Sequence, residues 1–284
     1  MTHAELAEAL RATGYLPDAQ TAVTVDLADR IDKPILVEGP AGTGKTALAK
    51  AVAELDGAPL IRLQCYEGLD EAKALYEWDY RKQLIRLQAA PESSWDAVEQ
   101  DIFSERFLLE RPLLAAIRST RRAVLLIDEV DRLDMETEAL LLEVLSEYQV
   151  SIPELGTVRA RTHPRVFLTS NNSRELSEAL KRRCLYLHIG YPSPERESEI
   201  VRAHVPGLAA VVAERIAEVV RTLRRLELRK KPSISETLDW ARVLLALDVS
   251  EVDDSALAQG LGVLLKNQSD IELVTATLLT EGRA

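Results

Sequence analysis

The sequence predicts an α/β protein, a parallel five-stranded sheet flanked by helices, with a small all-helical domain behind it. Three observations predict this. The octet Gly39-Pro-Ala-Gly-Thr-Gly-Lys45-Thr46 stands between an apolar run and a helical pattern. A second apolar run, residues 123–127, ends in Asp128-Glu129. Strand and helix signals alternate as far as Tyr191, after which the pattern is helical to the end. Such alternation implies parallel strands joined by right-handed crossovers. The expected division is 1–191 for the α/β domain and 192–284 for a helical lid, with 65–107 as a helical, insertion-like segment.

Residues 4–12 carry a short helical pattern that stops at Gly14, and Tyr15-Leu16-Pro17-Asp18 is a turn placed to fold over a nucleotide base. Val23, Leu27 and Ile31 are spaced by four, as in a second helix. Residues 34–38 then form a buried strand. Glycines at 39, 42 and 44 permit backbone conformations that a side chain would block, so successive N–H groups can curl round an anion. The helix that follows aims its positive end at the same place. Gly39, Pro40, Ala41, Gly42, Thr43, Gly44, Lys45, Thr46 and Ala47 are therefore the expected nucleotide-binding residues. Lys45 would reach the β- and γ-phosphates of ATP, and the Thr46 hydroxyl would bind Mg²⁺.

Gly57-Ala58-Pro59 breaks the chain before a strand at 60–64. From 69 to 88 the composition is that of a helix, although Tyr76, Trp78 and Tyr80 interrupt it. These aromatics read either as core or as an exposed recognition surface. A break at 91–94 precedes a further expected helix at 95–109. Pro112 opens another, and residues 123–127 form a continuous apolar run, as in a central strand covered on both faces. A leucine-rich helix at 137–148 leads to a hairpin at 150–158, turning at 153–156. A buried strand at 165–169 ends in Ser170-Asn171-Asn172, a helix spans 177–183, and the fifth strand is 185–189. Five helices follow, at 194–204, 208–226, 235–247, 253–266 and 270–280.

Ligands of such sheets bind at the carboxyl ends of the strands. Asp128 is therefore expected at the same Mg²⁺ as Thr46, directly or through water, and Glu129 is expected to orient and deprotonate the attacking water. Asn171 is placed to hydrogen-bond that water or the γ-phosphate without adding charge, while Asn172 suits a helix cap. Lys181-Arg182-Arg183 ends a helix. An arginine there can stabilise phosphoryl transfer in a neighbouring subunit or complement the helix dipole, and both roles stay open for Arg182 and Arg183. Residues 221–231 carry six basic side chains and one acidic, which fits a solvated face, a subunit interface or a phosphate contact.

Composition narrows the classes. The 284 residues carry a net charge of −11, which argues against a non-specific nucleic-acid binder. Cys65 and Cys184 lie far apart, and His3, His163, His188 and His204 are scattered, so no Cys or His metal site is expected. No apolar run reaches membrane-spanning length and no signal-peptide core opens the chain. The expected compartment is the cytoplasm.

In their order along the chain, the phosphate loop, Asp128-Glu129, Asn171, Arg183 and the helical remainder resemble the AAA+ ATPases. Within them, residues 33–46, the entry at 14–18 and the hairpin at 150–158 are similar to the MoxR group. More narrowly, residues 62–80, beginning Arg62-Leu-Gln-Cys-Tyr, look like the accessory ATPases of molybdenum-copper carbon monoxide dehydrogenases and related molybdenum hydroxylases. The resemblance implies an ATP-driven ring, expected to be a hexamer. It also implies a partner with a von Willebrand factor A domain and a metalloenzyme client to be remodelled or matured. By the same resemblance Asn171 matches the first sensor and Arg183 the finger acting across the subunit interface. MoxR relatives usually carry a second-sensor arginine near the start of a lid helix. The comparable stretch at 231–240 has none, so that role falls to Arg229, Lys230 or Lys231, or is absent. Two other functions compete with an ATP-hydrolysing chaperone: a nucleotide-dependent scaffold with little turnover, and a MoxR-like ATPase acting on another client.

Overall fold

The computed structural model describes residues 2–89 and 101–281. By its internal contacts the chain forms two units. One comprises residues 1–38 and Lys45–His188, the other Gly39–Gly44 and residues from Ile189 onward.

The first unit opens with α1 (His3–Ala12) and α2 (Ala19–Arg30). Asp18 ends the Tyr15–Asp18 turn as the cap of α2, its carboxylate accepting from Thr21 N at 2.6 Å. Next come β1 (Ile35–Glu38), α3 (Lys45–Leu55) and β2 (Leu60–Gln64). The helix-like composition at 69–88 does not give one helix. It gives α4 (Glu71–Ala74), a strand β3 (Tyr76–Trp78) and α5 (Tyr80–Gln88). β3 pairs antiparallel with β4 (Leu108–Glu110), where a helix was expected to end. Trp78 is buried and packs edge-to-face on Phe103 and Tyr76. Burial of Trp78 beside a partner strand overrides the helical propensity of its neighbours. Tyr80, by contrast, is exposed. The break at 91–94 and residues 95–100 of the expected helix at 95–109 lie outside the described residues.

The unit continues with α6 (Pro112–Arg118), β5 (Val124–Asp128), α7 (Met135–Glu147), the hairpin β6 (Gln149–Ile152) and β7 (Gly156–Arg159), β8 (Arg165–Ser170), α8 (Glu178–Arg183) and β9 (Leu185–His188). The central sheet has five parallel strands in the order β2-β5-β8-β1-β9. All of β5 is buried, as its unbroken apolar run requires. The order brings the carboxyl ends of β1, β5 and β8 side by side.

The second unit holds five helices among the described residues: α9 (Pro194–His204), α10 (Ala210–Arg225), α11 (Ile234–Ala246), α12 (Asp254–Leu264) and α13 (Gln268–Glu281). Their core gathers Val212, Ile216, Val220, Trp240 and Leu261. α12 approaches α11 at Gly260, where a Cβ would lie 2.0 Å from Trp240 Nε1. Residues 221–231 do not form a uniformly solvated face. Arg224 is buried, its guanidinium paired with Glu197 at 2.5 and 2.8 Å and stacked 4.4 Å over the Tyr191 ring. No helix among the described residues is long and apolar enough to cross a membrane.

Candidate nucleotide and hydrolysis site

β1 delivers the chain to the glycine-rich loop and α3 takes it away, so the loop joins a strand end to a helix start. Gly39 sits at φ +154°, and a Cβ there would fall 2.0 Å from the Ile189 carbonyl oxygen. Gly42 sits at φ +72° with Ser233 Oγ 2.2 Å from the same hypothetical atom. No other residue fits either position without displacing its neighbour. Thr43 is buried and its hydroxyl donates to the Pro40 carbonyl at 3.0 Å, bracing the loop. Ala41 and Ala47 are exposed.

Lys45 and Thr46 open α3 on the side of β5 and β8. Lys45 Nζ donates to Asn171 Oδ1 at 2.8 Å. Burial pushes the Lys45 ammonium below its usual pKa, while Asp131, Asp128, Glu129 and Glu38 pull it back up. Thr46 Oγ1 lies 3.0 Å from Asp128 Oδ1, which also accepts from Thr169 Oγ1 at 2.5 Å. A hydroxyl and a buried carboxylate converging in this way are two hard oxygen donors, the type that Mg²⁺ selects. The residues present therefore fit Mg²⁺.

Glu129 follows in the left-handed region, φ +59° and ψ +48°. Its N–H donates to Thr169 Oγ1 at 2.9 Å, which holds this uncommon backbone in place. Its carboxylate is half-buried and accepts from Arg132 at 3.1 Å. Thr169 thus receives from Glu129 and donates to Asp128, locking the acidic pair to β8.

Asp131 was not singled out from the sequence. It is buried, and its Oδ2 accepts from Ser173 N at 2.9 Å and Ser173 Oγ at 2.6 Å. Burial alone would raise its pKa, but the bonds from Ser173 and from the Asn171 backbone outweigh this and lower it. Its Oδ1 is buried with no hydrogen-bond partner among the described residues. Asp131 therefore ties the loop after β5 to the loop that carries Asn171. The third acidic residue in Asp128-Glu129-Val-Asp131 was the only sequence signal for it. Asn172 does not cap a helix; it sits at φ +57° with its N–H on Ser170 Oγ, and Ser177 caps α8.

Lys45 is thus bonded to Asn171, Thr46 to Asp128, and Glu129 to Asp128 through Thr169; the two sets meet in one group at Lys45 and Thr46, consecutive at the start of α3. Arg183 is not part of it. Its guanidinium donates to Ser146 Oγ and to the Ala179 carbonyl at 2.9 Å. Arg182 is exposed, and Lys181 pairs with Glu175 at 3.2 Å.

Comparisons with known proteins bear on the family and the fold. Residues 34–184 match the family model described as AAA domain (dynein-related subfamily). The chain is 29% identical over 235 residues to "Gas vesicle ATPase GvpN2" of Halobacterium salinarum, an alignment covering 75% of this chain and 66% of that protein. It is 29% identical over 248 residues to "Gas vesicle ATPase GvpN" of Ancylobacter aquaticus, covering 80% and 65%. "Protein CbbQ" of Hydrogenophilus thermoluteolus is 27% identical over 209 residues, covering 70% and 68%. The chain thus spans slightly less than two thirds of the gas vesicle relatives it matches. GvpN and CbbQ are MoxR-family proteins, consistent with the MoxR group. Among solved structures, a point variant of RuvB from Thermotoga maritima aligns with a TM-score of 0.55 at 16% identity, covering 95% of this chain and 72% of that one, a likeness of fold.

Proposed function

We propose, since the chain belongs to the AAA domain family in its dynein-related subfamily, that it hydrolyses ATP to remodel a client protein. The observation that carries this is the convergence of Lys45, Thr46, Asp128, Glu129 and Asn171 at the carboxyl ends of β1, β5 and β8. Each has a distinct role. The loop N–H groups from Gly39 to Gly44 and the Lys45 ammonium bind the phosphates. Asn171 holds Lys45 in line and presents its amide to the attacking water. Glu129 takes the proton of that water, held toward it by the left-handed turn that Thr169 clamps. Thr46 and Asp128 would hold Mg²⁺, which when bound neutralises charge on the phosphate oxygens. Arg183 acts on the nucleotide of a neighbouring subunit in a ring, expected to be hexameric, and Arg182 flanks it.

The proposed client is a metalloenzyme of the molybdenum hydroxylase type, reached with a partner bearing a von Willebrand factor A domain, in the cytoplasm. Support for this is the resemblance carried by residues 62–80. The relatives named for gas vesicles favour a second reading, a MoxR-type ATPase serving another client.

Phosphate release is the test. The full chain should turn over ATP only with Mg²⁺, and faster with client and partner present. Glu129→Gln should bind nucleotide and release no phosphate. Wild-type turnover in that variant would rule out Glu129 as the base. Negligible turnover of the wild type in every combination would leave a nucleotide-dependent scaffold.

A further inference from the structure

One charged side chain at Asp128 has no role in the hydrolysis proposed above. Arg62 lies on β2, the edge strand, where it is in register with Leu126 of β5. Its Nη2 donates to Asp128 Oδ2 at 2.5 Å and also to Gln64 Oε1. Asp128 Oδ1 meanwhile accepts the Thr46 and Thr169 hydroxyls. A carboxylate offers about four lone-pair sites. Three donors are already on this one, and both oxygens are engaged.

The donors differ in kind. The two hydroxyls are neutral, whereas a guanidinium stays protonated at any pH a protein survives. Asp128 is buried with its side chain 5% exposed; Arg62 is about half-exposed at 48%. Arg62 thus reaches in from the sheet edge and balances a buried negative charge. Any divalent cation held by Thr46 and Asp128 meets that guanidinium as a like charge. It enters readily only if it brings compensating negative charge, which the phosphates of a nucleotide supply.

We propose that Arg62 makes metal entry conditional on the nucleotide: it satisfies Asp128 when no phosphates are bound, and so discriminates against the bare cation. It is a positioning residue acting through Asp128. This rests on the assignment of Asp128 and Thr46 as the Mg²⁺ holders. A strand staple between β2 and β5 would need no charge, and the test separates the two.

The test uses the full chain, with Arg62→Gln and Arg62→Met to remove the charge and Arg62→Lys to keep it. Mn²⁺ binding without nucleotide is followed by electron paramagnetic resonance. Binding of a fluorescent ADP analogue is followed as Mg²⁺ is titrated. Neither readout needs turnover. In R62Q and R62M, Mn²⁺ alone should bind at least roughly tenfold more tightly, the order that removing a like charge at contact range gives even at the dielectric constant of water. The Mg²⁺ midpoint for the ADP analogue should fall in the same direction, and R62K should stay at wild type. Either charge-removing variant suffices if the other fails to fold. An unmoved midpoint and unmoved Mn²⁺ affinity in a folded R62Q or R62M, with wild-type nucleotide binding intact, overturn the role of Arg62 alone; so do equal shifts in R62K and R62Q. Failure of the wild type to bind the ADP analogue at saturating Mg²⁺ overturns the nucleotide-site reading beneath it.

Discussion

Lys45 Nζ and Asn171 Oδ1 are 2.8 Å apart, although the residues stand 126 positions apart in the chain. The first residue of α3 and the loop after β8 therefore share one hydrogen bond. Loss of the Asn171 amide should leave Lys45 free to hold phosphate but unable to report on it. Asn171→Ala should lower kcat by about 10²-fold, the size of one positioned donor in a transition state. Nucleotide affinity should change by only a few fold. Single-turnover hydrolysis and nucleotide titration on the same variant check both halves.

The left-handed backbone at Glu129 predicts a stability order among variants that lack its carboxylate. At φ +59° an alanine carries the same backbone cost as glutamate, and a glycine does not. Glu129→Gly should be about 1 kcal/mol more stable than Glu129→Ala. Both should be inactive. Urea midpoints of the two variants decide it, and the reverse order would mean that the strain is carried elsewhere.

Asp131 predicts a pH effect. Its pKa is lowered in the folded chain by Ser173 and the Asn171 backbone, against the burial that would raise it. A lowered carboxylate stabilises the fold above its unfolded value and loses that contribution as the pH falls through the folded value. Asp131→Asn should therefore be less stable than wild type at neutral pH. The gap should narrow as the pH drops below the ordinary value of 3.8. Denaturation curves for both proteins at neutral and acidic pH measure this, and a constant gap would assign the loss to packing.

The buried pair in the helical unit predicts an asymmetric double-mutant result. Glu197 accepts two bonds from Arg224 and one from Thr237 at 2.7 Å, and Arg224 Nε donates to the Pro232 carbonyl at 2.8 Å. Removing Arg224 alone leaves a desolvated carboxylate and should cost roughly 3–5 kcal/mol. Arg224→Leu combined with Glu197→Leu should cost far less than the sum of the single changes. Hydrogen exchange on α9–α11 localises the effect.

Much of this site was legible in the sequence because its signals are local. The glycine spacing from 39 to 44 needs only the conformations of its own residues. The run at 123–127 shows its burial by its lack of polar residues, and Asp128-Glu129 follows at once. Arg62, Asp131 and Thr169 were not legible. Each acts through a partner 40 or more positions away, Arg62 and Thr169 on Asp128 and Asp131 on Ser173. Apart from the acidic run that ends in Asp131, nothing in their neighbours marks them. The aromatics at 76–78 were misleading for a related reason. Their helix-forming context was visible, while the strand that pairs with them lay 30 or more positions on.

By itself the sequence determined a strand-loop-helix phosphate motif, five strands and a helical remainder, because each follows from periodicity and from the backbone freedom of particular residues. Only the tertiary structure decided which strand ends meet. The order β2-β5-β8-β1-β9 is set by side-chain packing across the sheet, and it brings Lys45 to Asn171 and Thr46, Thr169 and Arg62 to Asp128. It also left Arg183 on its own helix and α7, away from that group. A buried carboxylate takes its donors from whatever the fold places within reach, and that reach is a property of three dimensions rather than of spacing along the chain.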